Sequence, residues 1–148
     1  MTLVRRRGTA IVETPQGILV ASGRKKLFLL PGGGAEKRES RKKAAIRELK
    51  EETELKTNSC KYLFTYNEPK YTPEGNKRKI RNLHKVFLIK SSGIPKPNYH
   101  DVHHIDYWSL KNNNINLSRT TRKIIEIYLK KYKDKEISLF SKIMHKFI

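Results

Sequence analysis

The chain has 148 residues, enough for one compact domain with a proper core but not for two. Thirty-three Lys and Arg against fourteen Asp and Glu give a formal charge of +19 and a pI near 10.1, which favours polyanionic partners through long-range attraction. Cys60 is the only cysteine, so an intrachain disulfide and a Cys-rich metal site are both excluded, and Cys60 reads as a small buried residue in a reducing compartment. No stretch has the apolar length of a membrane span and the first residues carry no signal-like apolar region, which predicts a soluble, cytoplasmic protein.

Residues 3 to 13 and 17 to 22 read as two strands joined around Pro15, Gln16 and Gly17. Residues 27 to 30 form a third short strand that delivers Pro31 and the three glycines Gly32, Gly33 and Gly34, a loop able to turn backbone groups toward an ion or phosphate. Ser40 is a good N-cap for the helix that follows. Residues 60 to 67 and 82 to 91 are later strands, separated by a mobile loop over 68 to 81 that carries Pro, Gly and charge. Residues 93 to 101 form another loop, 105 to 110 a last short strand, and 118 to 132 a helix with Ile124, Ile125, Tyr128 and Leu129 facing inward. Residues 137 to 148 place Ile137, Phe140, Met144, Phe147 and Ile148 on one stripe, predicting an added helix over 133 to 148 that packs on the domain or on a second subunit of a homodimer; a membrane-surface helix is the weaker reading. Strands, a central helix, more strands and a closing helix describe an α/β sandwich.

Six of the fourteen acids lie within residues 33 to 55: Glu36, Glu39, Glu48, Glu51, Glu52 and Glu54. At about 100° per residue, Glu52 falls about 40° from Glu48 and Glu51 about 60° to its other side, so three carboxylates share one helical face. Ala44 and Ala45 point into the same arc and leave room above it, Ile46, Leu49 and Thr53 form the inward stripe, and Arg47, Lys50 and Glu54 point away. Ionised carboxylates so close repel one another unless a cation sits among them, and an oxygen-only set suits Mg²⁺ or Mn²⁺. A solvated Glu/Lys helix face is the plainer reading, and the glycine run just before the helix argues against it.

Gly33, Glu39, Arg47, Glu48, Leu49, Glu51, Glu52 and Leu55 match G-x5-E-x7-R-E-U-x-E-E-x-G-U, where U is aliphatic. The segment resembles the box of the Nudix hydrolases (MutT-like), and the order of elements is compatible over residues 1 to 132. The resemblance implies an α/β/α sandwich with a mixed β-sheet between helices, and a Mg²⁺- or Mn²⁺-dependent pyrophosphohydrolase. It implies that Glu51 and Glu52 hold metal with a backbone carbonyl of Gly32 or Gly33, that Glu48 is a further ligand or the base, that Arg47 positions the carboxylates by ion pairing, and that Glu39 acts from behind them. Glu54 stands where the family has a glycine, and must either take a left-handed conformation or let the helix run on. Asp101, His103, His104 and Asp106 are candidates for an extra base or ligand.

A nucleoside di- or triphosphate derivative is the first expectation for the substrate, and a dinucleoside or inositol polyphosphate the second. Basic side chains such as Arg7 from the first strands, or from the loop carrying Tyr71, would clamp its phosphates with Tyr71 as a further substrate contact, and Trp108 reads either as a packing residue or as one that stacks on a base. A basic RNA-binding module with a vestigial box is the competing class, because Tyr62, Phe64, Tyr66 and Tyr71 interleave with cations as a stacking surface would. The lack of a recognised nucleic-acid motif disfavours it.

Overall fold

A computed structural model of the protein describes residues 2–133. The expected helix over residues 133 to 148 and its packing partner lie outside the described residues. In chain order the elements are β1 (Thr2–Ile11), β2 (Glu13–Thr14), β3 (Gly17–Ser22), β4 (Phe28–Leu29), β5 (Gly32–Gly34), α1 (Arg41–Thr53), β6 (Lys56–Asn67), β7 (Lys79–Ser92), β8 (His104–Trp108) and α2 (Arg119–Tyr132). One sheet has the order β5-β1-β7-β6 and is mixed: β1 runs parallel to β7, while the β5 and β6 pairings are antiparallel. A smaller antiparallel sheet builds on β3, which pairs with β2, β4 and β8.

Alternation along the central strands supplies both faces. Ala10, Val12, Leu19, Phe87 and Ile89 pack with Ala45 and Leu49 of α1. Ile11, Ile18, Val20 and Val86 pack with Ile124, Ile125, Tyr128 and Leu129 of α2. The protein is thus an α/β sandwich with sheet between helices, and the inward stripe read for the closing helix is the one it buries.

Several local expectations change. The three glycines form an edge strand rather than a free loop, because Gly32, Gly33 and Gly34 pair with Thr9, Gly8 and Arg7. Gly8 is where helix and sheet meet: a Cβ there would lie 2.0 Å from the Arg41 carbonyl oxygen. Ala44 and Ala45 therefore do not leave room above α1; they are fully buried at this contact. The bulge between Tyr62 and Phe64 turns these neighbours to opposite faces of β6, with Tyr62 half exposed beside Phe87 and Phe64 in the α2-side core. The alternating aromatics of β6 thus do not form one stacking surface. Trp108 is also a core residue, packed on the α2 side. Cys60 is half-buried, and burial pushes its thiol pKa up.

Ser40 caps α1, its side chain accepting from the Lys43 N–H at 3.1 Å. At the other end Glu54 adopts φ 65° and ψ 4°, and its N–H donates to the Lys50 carbonyl at 2.8 Å. The helix therefore stops where the family glycine would stop it, and Glu54 takes the strain. Glu54→Gly should raise stability by about 1 kcal/mol, or roughly 3 °C in Tm, in thermal denaturation followed by circular dichroism.

Candidate active site

Helix α1 lies against β5, which brings its acidic residues to the glycine backbone. Arg47 does not point away; its guanidinium forks back over the helix. Its Nε and Nη2 donate to the two Glu39 carboxylate oxygens at 2.8 and 2.9 Å, Nη1 donates to Glu48 Oε1 at 2.9 Å, and Nη2 reaches the Gly34 carbonyl at 3.1 Å. Nη1 also lies 3.3 Å from Glu51 Oε2. Only a planar, multi-donor cation makes this set of contacts. Glu39 holds the fork from the far side and accepts the Glu36 N–H at 3.0 Å; Arg47 first, and that N–H second, hold its pKa down to about 2. These bonds in turn keep Arg47 protonated more firmly than usual.

Glu52 sits deeper. Its Oε1 accepts the Gly32 N–H at 3.0 Å, yet burial dominates and pushes its pKa up to about 8, with the charges of Glu48 and Asp101 adding to the effect and Arg7 opposing it. Glu48 is also pushed up by burial, against the pull of Arg47. It lies beneath Gly33, where a Cβ would come within 2.5 Å of its carboxyl carbon. Glu51 is exposed.

The spacing expectation of three carboxylates on one face is met in position but not in convergence. Among the described residues, no three acidic, His or Cys side chains come together closely enough to hold an ion. Arg47 draws Glu48 and Glu51, and the Gly32 N–H draws Glu52. The donor set nevertheless fits a small hard cation. Its donors are all oxygens, and Glu52 is a partly buried carboxylate whose direct partner is one backbone N–H, so a bound cation would offset its desolvation cost.

Of the four candidates outside the box, only Asp101 acts electrostatically on Glu48 and Glu52. Asn98 places it, donating from one side-chain nitrogen both to Asp101 and to the Glu51 carbonyl. His103 meets Tyr99, while His104 and Asp106 line a separate cavity at β8. Arg7 and Tyr71 line one cavity of about 760 Å³ together with Leu27, Leu29, Tyr66 and Asn82. Arg7 lines this cavity, and its charge acts on Glu52 at longer range. A second cavity, about 880 Å³, is lined by Trp108, Pro15 and Leu129 among others, and neither cavity is lined by a box residue. Sequence reasoning missed a buried polar network on the floor of the first cavity. Glu68 accepts from His84 Nε2 at 2.9 Å, Thr120 Oγ1 at 2.8 Å and Asn82 Nδ2 at 2.7 Å, and His84 Nδ1 meets Thr9 Oγ1 at 2.9 Å. Burial alone would raise the Glu68 pKa, but these three partners more than offset it and bring it to about 2. Its members are scattered over four elements or loops, and Glu68 stands in a segment whose composition signals only a loop.

This sandwich, with its glycine strand and Arg-clamped acidic helix, defines a hydrolase of the Nudix type. The chain belongs to the Nudix family: the NUDIX domain model matches residues 3–126. No curated protein sequence matches the chain. Among solved structures, a nudix hydrolase family member from Chromobacterium violaceum is 34% identical, with TM-score 0.70 over 96% of this chain and 89% of that one. A MutT protein from Methanosarcina mazei Go1 is 18% identical and shares the fold, with TM-score 0.72 over 89% of this chain and 97% of that one. A Francisella tularensis bifunctional NMN adenylyltransferase/ADP ribose pyrophosphatase, solved with AMP and a manganese ion, is 22% identical, with TM-score 0.63 over 88% of this chain and 42% of that chain. Among the described residues no helix is long and apolar enough to cross a membrane.

Glu52 has a folded-state pKa above its ordinary value, so folding favours its protonated form. Without metal, its contribution should be fully present below about pH 4.5, erode as pH rises, and level off above about 8, a loss on the order of a few kcal/mol. Chemical denaturation of wild type and Glu52→Gln in chelator across this window should show a steep slope in wild type and a shallower one, left by Glu48, in the variant.

Proposed function

We propose that the protein is a Mg²⁺- or Mn²⁺-dependent pyrophosphohydrolase cleaving a diphosphate linkage in a nucleoside di- or triphosphate derivative. The observation that carries this reading is Glu52, a partly buried carboxylate hydrogen-bonded to the glycine strand, with its pKa raised to about 8 by desolvation and neighbouring acids. Such a group is costly without a cation and useful with one. Glu51 and Glu52, with a backbone carbonyl of Gly32 or Gly33, would hold the cation. When bound, it supplies charge neutralisation at the diphosphate oxygens and polarisation of the P–O bonds.

The other roles belong to the chain's own residues. Arg47, locked by Glu39 and the Gly34 carbonyl, sets the positions of Glu48 and Glu51. Glu48, raised by burial, is placed to take a proton from the attacking water. Arg7 faces the cavity and reaches Glu52 electrostatically, so it can orient a phosphate toward the acidic helix. The bulk of catalysis is then positioning and charge stabilisation, as in phosphoryl transfer generally. Asp101, near the same carboxylates, adds anionic charge that a divalent ion would balance.

Hydrolysis of nucleoside di- and triphosphates, sugar nucleotides, dinucleoside polyphosphates and capped RNA, followed by phosphate and nucleotide release, tests this reading. Activity should require Mg²⁺ or Mn²⁺ and vanish with chelator. Glu52→Gln should lower kcat by at least about 100-fold with an unchanged circular dichroism spectrum. RNA binding with steep salt dependence, unchanged by Glu52→Gln and without hydrolysis of any substrate, would replace this reading with the polyanion-binding one. Arg47→Lys should lower kcat, because a point-like ammonium cannot engage Glu39, Glu48 and the Gly34 carbonyl together, and Arg47→Ala should lower it further. Steady-state kinetics of both variants checks that order.

A further inference from the structure

The cavity that Arg7 and Tyr71 line is divided by charge. Its exposed rim carries Arg5, Lys70, Arg119 and Lys123. Its buried floor carries Glu68, His84 and Asn82, with apolar walls from Leu27 and Leu29, each 46% exposed although large and hydrophobic. Cations at the rim suit phosphate; acceptors at the floor repel it.

Asn82 lies 7% exposed at that floor. Its Nδ2 donates to Glu68 Oε2 at 2.7 Å, and a carboxylate already bound to three donors accepts only, which fixes the amide with Oδ1 turned the other way. That Oδ1 is buried and has no hydrogen-bond partner among the described residues. An acceptor left unpaired inside a protein is unfavourable, and a site built around one rejects any ligand that cannot donate to it. Oδ1 is covered in this conformation. Tyr71, 43% exposed and with its hydroxyl 3.5 Å from Asn82 Nδ2, is the side chain that an entering ligand would displace, its backbone staying paired with Ile80.

Resting on the hydrolase reading above, we propose that Asn82 is a specificity-determining residue: its Oδ1 accepts an N–H from a nucleobase that enters between Leu27, Leu29 and Tyr71, while the phosphates extend past Arg7 toward the acidic helix. The ionised Glu68 behind Asn82 strengthens the assignment, because it makes the floor hostile to anions. The substrate class is therefore a nucleotide whose base offers an N–H donor. An inositol polyphosphate, anionic on all sides, has no part that matches this floor.

Binding separates this inference from the hydrolase reading. Calorimetric titrations in Mg²⁺ would use the α,β-methylene analogues of ATP, CTP, GTP and UTP, with methylenediphosphonate as the ring-free probe and inositol hexakisphosphate as the polyanion. At least one nucleotide should bind about tenfold or more tightly than methylenediphosphonate. Asn82→Leu should remove that margin and leave the Kd for methylenediphosphonate within about twofold. Because Asn82 is buried and its variant can fail to fold, wild type is also titrated with the preferred nucleotide N-methylated to remove the donors from its base-pairing edge; affinity should fall about tenfold. Equal loss for both probes in Asn82→Leu, no effect of N-methylation, or inositol hexakisphosphate binding as tightly as every nucleotide would overturn the inference. Donor-dependent nucleotide binding without turnover of any substrate would leave it standing and sink the hydrolase reading instead.

Discussion

The site depends on how closely helix α1 can approach the strand of three glycines. Gly8 gives up its side chain so that the Arg41 carbonyl can pass, and Gly33 does the same for the Glu48 carboxyl group. With that gap closed, Arg47 can span from the helix to the Gly34 carbonyl, and Gly32 can offer its N–H to Glu52. A methyl group at either glycine would separate the two elements and break both bridges. The glycines therefore serve contact more than flexibility. They also convert a stretch of backbone into part of the site, since two of its polar groups bind side chains from the box.

Electrostatics then divides the carboxylates into two kinds. Glu39 is held ionised by Arg47 and a backbone N–H, and works as a fixed anchor. Glu52, and to a lesser degree Glu48, is biased toward the protonated form by burial. One Arg cannot neutralise four neighbouring acids, and its fork is spent largely on the anchor. That imbalance is local: the rest of the molecule is strongly basic, so an anionic ligand is attracted at long range and meets acid only at the last step.

Much of this was legible in the residue order. The box could be read because its spacing is long and its charges are specific, and the helix start at Ser40 and the buried stripe of α2 follow from capping and periodicity. The glycine strand was misjudged as a loop because pairing with β1 is a long-range event that composition does not signal. Arg47 was placed on the wrong side because helical projection locates a Cα, not the end of a long side chain. The bulge after Tyr62 shifts the parity of β6 and defeats simple alternation. The Glu68, His84 and Asn82 network was invisible for a different reason: its members meet only through tertiary structure, and each is ordinary in its own segment.

The parallel pairing of β1 with β7 joins strands separated by more than half of the described chain. Such a contact cannot be closed locally, so its formation carries a large loop-closure entropy and is expected late in folding. Arg7 on β1 and Asn82 on β7, two of the residues that line the cavity, are brought together by that same pairing. Early compact states of this chain, even with α1 already wound and capped, would lack this cavity. During synthesis, the walls of that cavity thus come together only after the chain has emerged well past its middle.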